Sequence, residues 1–264
     1  MCRLLAYLGP EISLGRLISE GEQSLVAQSY QPREMTSGVV NADGFGFAWY
    51  DTSVQAAPLV YRNILPIWSD GNLPSLERYI RSGCVLANVR SATPGQGLDY
   101  SNTQPFVTGP ISVIHNGFIE NFADGARRAL RDQIPDQAID LIRGNTDSEY
   151  LFAHLAHGIA RTTDLAEGVA GALISIAKAL PDRALTLNFI VTDGARIVAT
   201  RHAAGTDCPS LYTLANHARY PDAVLVASEP LFEDKAWVAC PEGSILTIDP
   251  RDHSLAVTTD RVAA

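Results

Sequence analysis

Paired cysteines, long apolar runs and an excess of basic charge are all missing from this sequence. Four cysteines occur in 264 residues (Cys2, Cys84, Cys208 and Cys240), with no CxxC pair and no zinc-finger spacing. Free thiols in a reducing, cytoplasmic setting are therefore expected. No apolar stretch is long enough to cross a bilayer. The opening MCRLLAYLGP lacks the apolar core and cleavage site of a secretory signal. Twenty Lys and Arg against 29 Asp and Glu leave a formal charge of −9, which argues against nucleic acid or an anionic membrane as partner. Gly/Ser/Pro-rich linkers, repeats and low-complexity segments are absent, so one domain spanning residues 1–264 is expected.

Short strand-like runs dominate the first part of the chain: CRLLAYLG, GVVNADGFGFAWYD, APLVYRN, CVLANVRSA and ISVIHNGFI. Between Asn121 and roughly Leu180 the apolar period becomes helical. DSEYLFAHLAHGIA places Tyr150, Leu151, His154, Leu155 and Gly158 on one face, and DLAEGVAGALISIAKAL has a small-residue face suited to close packing. Strands then return, beginning with a hairpin turning at Asp193-Gly194. This order predicts an α+β fold in which two antiparallel sheets are covered by helices on the outside.

Four features can carry chemistry. Cys2 becomes the N-terminal residue if Met1 is removed; its thiol and a free α-amine then belong to one residue, a nucleophile with a built-in base. Alternatively it is a small hydrophobe in a buried strand. Arg90, at the end of an apolar strand in ANVRSATPG, can grip a carboxylate through two parallel hydrogen bonds or form a structural ion pair. In SVIHNGFIE, Asn116 Nδ2 and the Gly117 N–H can form an oxyanion hole; the other reading is a tight Asn-Gly turn. In GNTDSEYLF, Thr146 or Asp147 caps a helix, and the acids of its first turn can instead hold a cationic ligand group such as an α-ammonium.

Other signals point to structure. His154 and His157 are three apart on a helix but lack a third ligand at a metal-site spacing. NADGFGFAWY has no helix start or Lys of a phosphate loop, and its glycines allow strands or a substrate to approach closely. Cys84, Cys208 and Cys240 read as packing or loop cysteines. Phe45, Phe47 and Trp49 read chiefly as strand core, with the leaving-group side of a pocket as the other possibility.

Taken together and in this order, Cys2, Arg-x-Ala-Thr, His-Asn-Gly and Thr-Asp-Ser-Glu resemble a class II glutamine amidotransferase domain of the N-terminal-nucleophile hydrolase group, most strongly from Cys2 to Gly158. MCRLLAYLG, QSYQPRE, NADGFGFAWY and NVRSATPG resemble the branch of γ-glutamyl hydrolases that serve ergothioneine biosynthesis. The resemblance implies a four-layer αββα sandwich. It makes Cys2 the nucleophile, Asn116 and Gly117 the oxyanion hole, Arg90 the holder of a glutamyl α-carboxylate and Asp147 that of the α-ammonium. The implied partner is a small γ-glutamyl substrate, γ-glutamyl-hercynylcysteine S-oxide, with no cofactor, no metal and no required protein partner. Glutamine-using relatives typically read Arg-Trp-Ala-Thr-His-Gly where this chain has Arg90-Ser91-Ala92-Thr93-Pro94-Gly95. Ser91 and Pro94 imply a roomier leaving-group side, and no synthase domain accompanies the motifs, so a hydrolase is expected rather than a glutaminase feeding a partner.

Overall fold

A computed structural model describes residues 2–35, 38–92 and 97–249 together with the strand Ser254–Thr258. Met1, and Thr93, Pro94 and Gly95 of the Arg90 loop, lie outside the described residues.

The first half of the chain runs through β1 (Arg3–Ser13), α1 (Leu14–Ile18), α2 (Leu25–Tyr30), β2 (Phe45–Trp49), β3 (Leu59–Asn63), α3 (Leu73–Tyr79), β4 (Arg81–Val89), β5 (Phe106–Thr108) and β6 (Ile111–Asn116). The helical block holds α4 (Arg127–Arg131), α5 (Asp136–Ile139), α6 (Asp147–Ile159) and α7 (Leu165–Ala179). Strands close the chain: β7 (Leu185–Thr186), β8 (Asn188–Thr192), β9 (Ile197–Arg201), β10 (Ala203–Ala204), β11 (Tyr212–His217), β12 (Tyr220–Ala227), β13 (Val238–Ala239), β14 (Ser244–Asp249) and β15 (Ser254–Thr258).

These strands form an antiparallel seven-stranded sheet, β13-β11-β12-β1-β4-β2-β3, and an antiparallel six-stranded sheet, β15-β14-β9-β8-β6-β5. Strand periodicity decides what each face buries. Leu5 and Tyr7 of β1 and Val85, Ala87 and Val89 of β4 pack under α1, α2 and α3, while Val113, Phe189 and Val191 pack under α6 and α7. The alternate residues, Leu4, Ala6, Leu86, Ile114 and Ile190, meet in a third core between the sheets. The result is the expected helix–sheet–sheet–helix layering.

One sequence expectation is met and another differs in detail. Phe45 and Phe47 are fully buried with Tyr61 on the outer, helix-covered face of their sheet, and half-buried Trp49 packs against the same core. They therefore point away from the interlayer and line no pocket beside Cys2. The Asp193-Gly194 hairpin is present, but Thr192 pairs with Ile197 across a four-residue loop, Asp193–Arg196, in which the Asp193 carboxylate accepts from the Ala195 and Arg196 N–H groups.

The small-residue face of α7 works as expected. A Cβ on Gly158 would lie 2.6 Å from the Gly168 carbonyl oxygen, and one on Gly168 would lie 2.7 Å from Ile159 Cα. Only glycine at both positions lets the two backbones come this close.

Candidate active site

β1 carries Leu4, Ala6 and Leu8 into the interlayer, and Cys2 continues that alternation at the strand's beginning. Cys2 is 9% exposed, and its Sγ lies 4.0 Å from the Ser91 carbonyl oxygen. Its own carbonyl accepts a 2.7 Å hydrogen bond from Arg3 Nε. Arg3 is fully buried and pairs at 2.9 Å with Glu229, which also accepts from the Arg33 and Glu34 N–H groups and from Gln23 Nε2. Burial lowers the Arg3 pKa, and the Glu229 charge partly opposes this. The pair ties the chain's start to the QPRE segment. It joins residues 226 apart, so no local motif could have announced it.

Arg90 follows the Arg3–Val89 pair at the end of β4. Its N–H donates to Gly44 O at 2.8 Å, its carbonyl accepts from Asp43 N–H at 3.0 Å, and Nη1 donates to Asp43 O at 3.2 Å. Asp43 also caps the turn beyond it by accepting from Ala92 N–H at 2.8 Å. Among the described residues Arg90 has no acidic side-chain partner, and Nη2 is buried without any. The structural ion pair is thus not what holds this guanidinium. The NADGFG segment supplies the cradle, a role its sequence signalled only as close approach.

Asn116 ends β6, and neither atom of its buried carboxamide has a hydrogen-bond partner among the described residues. The chain then leaves the sheet without a hairpin. Phe118 exchanges hydrogen bonds with Thr186, and Ile119 bridges to Leu185. A Cβ on Gly117 would lie 2.0 Å from Thr186 O and 2.5 Å from His115 Nε2, so only glycine fits. His115 faces the other side of the sheet, stacked on Phe189 with centroids 4.6 Å apart. Its Nε2 lies 3.1 Å from Thr186 O and must donate there, which leaves Nδ1 to accept from Ser148 Oγ at 2.9 Å. Burial pushes the His115 pKa down, so the ring is neutral.

At the start of α6 the cap is Thr146, which forms a capping box with Glu149. Asp147 sits one residue inside, 5% exposed. Its Oδ2 accepts from Ile119 N–H at 2.9 Å and its Oδ1 from Ser148 N–H at 2.8 Å. Asp147 therefore tethers the segment leaving Gly117 to the helix, and each oxygen keeps lone-pair capacity for a further donor.

β6 packs across both β1 and β4, and α6 packs on β6. That packing gathers Cys2, Arg90, Asn116, Gly117 and Asp147 at one end of the sandwich. The other sequence signals are structural. His154 Nε2 donates to Leu130 O at 3.0 Å, and no metal-ligating cluster occurs among the described residues. All four cysteines are free, and burial pushes the thiols of Cys84, Cys208 and Cys240 up to about 12, 11 and 12.

Residues 19–221 match the family model described as glutamine amidotransferases class-II. The chain is 33% identical over 261 residues to the γ-glutamyl-hercynylcysteine sulfoxide hydrolase of Mycolicibacterium smegmatis, covering 98% of this chain and 99% of that protein. It is 32% identical over 296 residues to the probable glutamine amidotransferase DUG3 of Saccharomyces cerevisiae, covering 94% of this chain and 82% of that one. Among solved structures, a glutamine aminotransferase class-II domain protein from Silicibacter pomeroyi superposes with a TM-score of 0.70 at 26% identity, covering 97% of this chain and 98% of that chain. With the layered fold and the motif residues at one end of its interlayer, the chain belongs to the class II glutamine amidotransferases.

Proposed function

We propose that this chain hydrolyses γ-glutamyl amides through a thioester on Cys2, and that its substrate is γ-glutamyl-hercynylcysteine S-oxide. The observation that supports the reading best is the unpaired polar surface beside Cys2: the Asn116 carboxamide and Arg90 Nη2, both buried and both without partners among the described residues. Buried groups of this kind cost roughly 1–3 kcal/mol each unless something binds them. A glutamyl substrate satisfies Arg90 Nη2 and the Nδ2 end of Asn116. Its α-carboxylate takes Arg90, its α-ammonium takes the spare lone pairs of Asp147, and its γ-carbonyl oxygen faces Asn116 and Gly117.

With Met1 removed, Cys2 Sγ attacks the γ-carbonyl carbon while the α-amine accepts the thiol proton. The developing oxyanion draws hydrogen bonds from Asn116 Nδ2 and Gly117 N–H, worth on the order of 10²–10³ in rate per donor. The C–N bond breaks as the ammonium returns its proton to the leaving amine. Water, deprotonated by the amine, then cleaves the thioester to release glutamate. The sequence similarity to the mycobacterial sulfoxide hydrolase over nearly the whole chain favours this leaving group. No helix among the described residues is long and apolar enough to cross a membrane, and we place the activity in the cytoplasm, with no protein partner required.

The similarity to the yeast probable glutamine amidotransferase favours a second reading, in which glutamine or a γ-glutamyl peptide is the substrate. Glutamine, glutathione and a γ-glutamyl-hercynylcysteine conjugate assayed side by side separate the two. The conjugate is expected to have the highest kcat/KM, and preference for free glutamine would refute our choice. Cys2→Ala is expected to abolish every activity. Intact-mass measurement is expected to show loss of Met1; a retained methionine in active protein would overturn the amine-assisted mechanism.

A further inference from the structure

One buried polar side chain at the site end of the interlayer has no assigned role. Asn88, on β4, is fully buried, and among the described residues neither its Oδ1 nor its Nδ2 has a partner. It pairs with Leu4 on β1 and with Gly46 on β2. It shares strand parity with Cys84 and Leu86, so it faces the second sheet, as Asn116 faces the first.

Contacts at both ends of the interlayer fix how the two strands stack. At the far end, Tyr50 Oη meets Ser112 Oγ at 2.9 Å, and Cys84 Sγ meets Thr192 Oγ at 3.4 Å. Two residues along each strand, Leu86 and Ile114 share the interlayer core. Two further along stand Asn88 and Asn116. That level is fixed independently, because Gly46, beside Asn88, packs against the Gln104 carbonyl, where a Cβ would lie 2.2 Å away. Gln104 in turn exchanges two hydrogen bonds with the His115 backbone, one residue from Asn116.

Stabilising an oxyanion requires Nδ2, not Oδ1, of Asn116 to face the substrate. A carboxamide has near-identical shape in its two flipped forms, so something must hold the oxygen end. Its neighbour on the same sheet, Asn188, is already engaged, its Nδ2 donating to Pro209 O at 3.0 Å and its Oδ1 accepting from Cys208 Sγ at 3.6 Å. The geometry points to Asn88 as a positioning residue whose Nδ2 donates to Asn116 Oδ1 when substrate is bound, holding the Asn116 amide with its donor toward the oxyanion. Arg90 cannot serve both ends of the site, because its free Nη2 is the group left for the substrate carboxylate. This inference rests on the oxyanion-hole reading of Asn116.

A double-mutant cycle with γ-glutamyl-p-nitroanilide as probe tests it. Asn88→Ala is expected to lower kcat roughly tenfold to a hundredfold with KM nearly unchanged, the range of coupling within one hydrogen-bond network. In an Asn116→Ala background the same change is expected to have no further effect on kcat. Asn88→Leu, which removes the unpaired amide while filling its space, is expected to melt no lower than the parent yet show the same kcat loss. Undiminished kcat in either Asn88 variant, or equal losses in both backgrounds, would overturn the inference alone. A fully active Asn116→Ala would overturn the oxyanion reading beneath it.

Discussion

Gly117→Ala tests the proposed oxyanion hole at its least forgiving point. The new methyl carbon would lie 2.0 Å from the Thr186 carbonyl oxygen and 2.5 Å from His115 Nε2. The first is more than about 1 Å inside the closest separation such atoms adopt. Neither neighbour can yield cheaply. Thr186 O already holds the His115 ring, Thr186 N and Oγ clamp Phe118, and His115 is pinned on its far side by Ser148. The Gly117 peptide must therefore move, taking its N–H out of line with the oxyanion. Loss of one donor costs on the order of 10²–10³ in kcat, and overpacking a site of this kind costs roughly 1–3 kcal/mol of stability. At about 2–4 °C per kcal/mol for a chain of this size, the melting temperature should drop by roughly 2–12 °C. Gly171→Ala supplies the control. That glycine is exposed on α7 with nothing within 4 Å of the added methyl, so the change should stabilise by about 0.4–1 kcal/mol and leave kcat alone. Both variants are to be assayed below their melting temperatures against a γ-glutamyl anilide. A Gly117→Ala enzyme with parental kcat would refute the reasoning.

Three further outcomes follow from the same geometry. Asp147→Asn keeps an acceptor for Ile119 N–H but loses the charge, so KM for γ-glutamyl substrates should rise roughly 10- to 100-fold, the worth of a charged hydrogen bond; Asp147→Ala should also lower kcat, because the Gly117 segment loses its tether, and equal kinetics for the two would refute the double role. Burial lowers the pKa values of His115, His154 and His202, so the unfolded chain binds more protons below about pH 6.5. Their contribution to stability is complete above that pH and is lost as pH falls through the lowered values; melting temperatures from pH 7.5 to 5 should therefore decline, and a flat profile would contradict the lowered pKa values. Glu229→Gln strands the Arg3 cation, which should cost about 3–5 kcal/mol and be read as a lower urea midpoint; an unchanged midpoint would refute a stabilising role for the pair.

The candidate site was legible because its proposed chemistry is written in short local motifs, each placed at a strand end or a helix start. His115-Asn116-Gly117 exposes its own logic, since the run after Gly117 offers no partner strand for a hairpin. Thr146 and Glu149 likewise mark α6 through a capping box visible at a spacing of three. The helices α1, α2 and α3 were not legible: at five, six and seven residues they are too short for a helical period to register. The outward aim of Phe45 and Phe47 was hidden as well, because alternation says that a face is buried, not which layer buries it.

The sequence by itself determined the chemical vocabulary of this protein: a cysteine beside the chain's start, an arginine at a strand end, an Asn-Gly pair and an acid in the first turn of a helix. It also determined the class of fold, because the switch from period two to helical period and back dictates sheets and covering helices. Tertiary structure decided the rest. The Arg3–Glu229 pair holding the Cys2 carbonyl joins residues 226 apart in the chain. The Asp43 cradle around Arg90 and the packing of Gly46, beside Asn88, against the Gln104 carbonyl are equally non-local. Their physical reason is common: antiparallel pairing and face-to-face sheet packing set which distant residues share a level, and that register belongs to the assembled sandwich, not to any single strand.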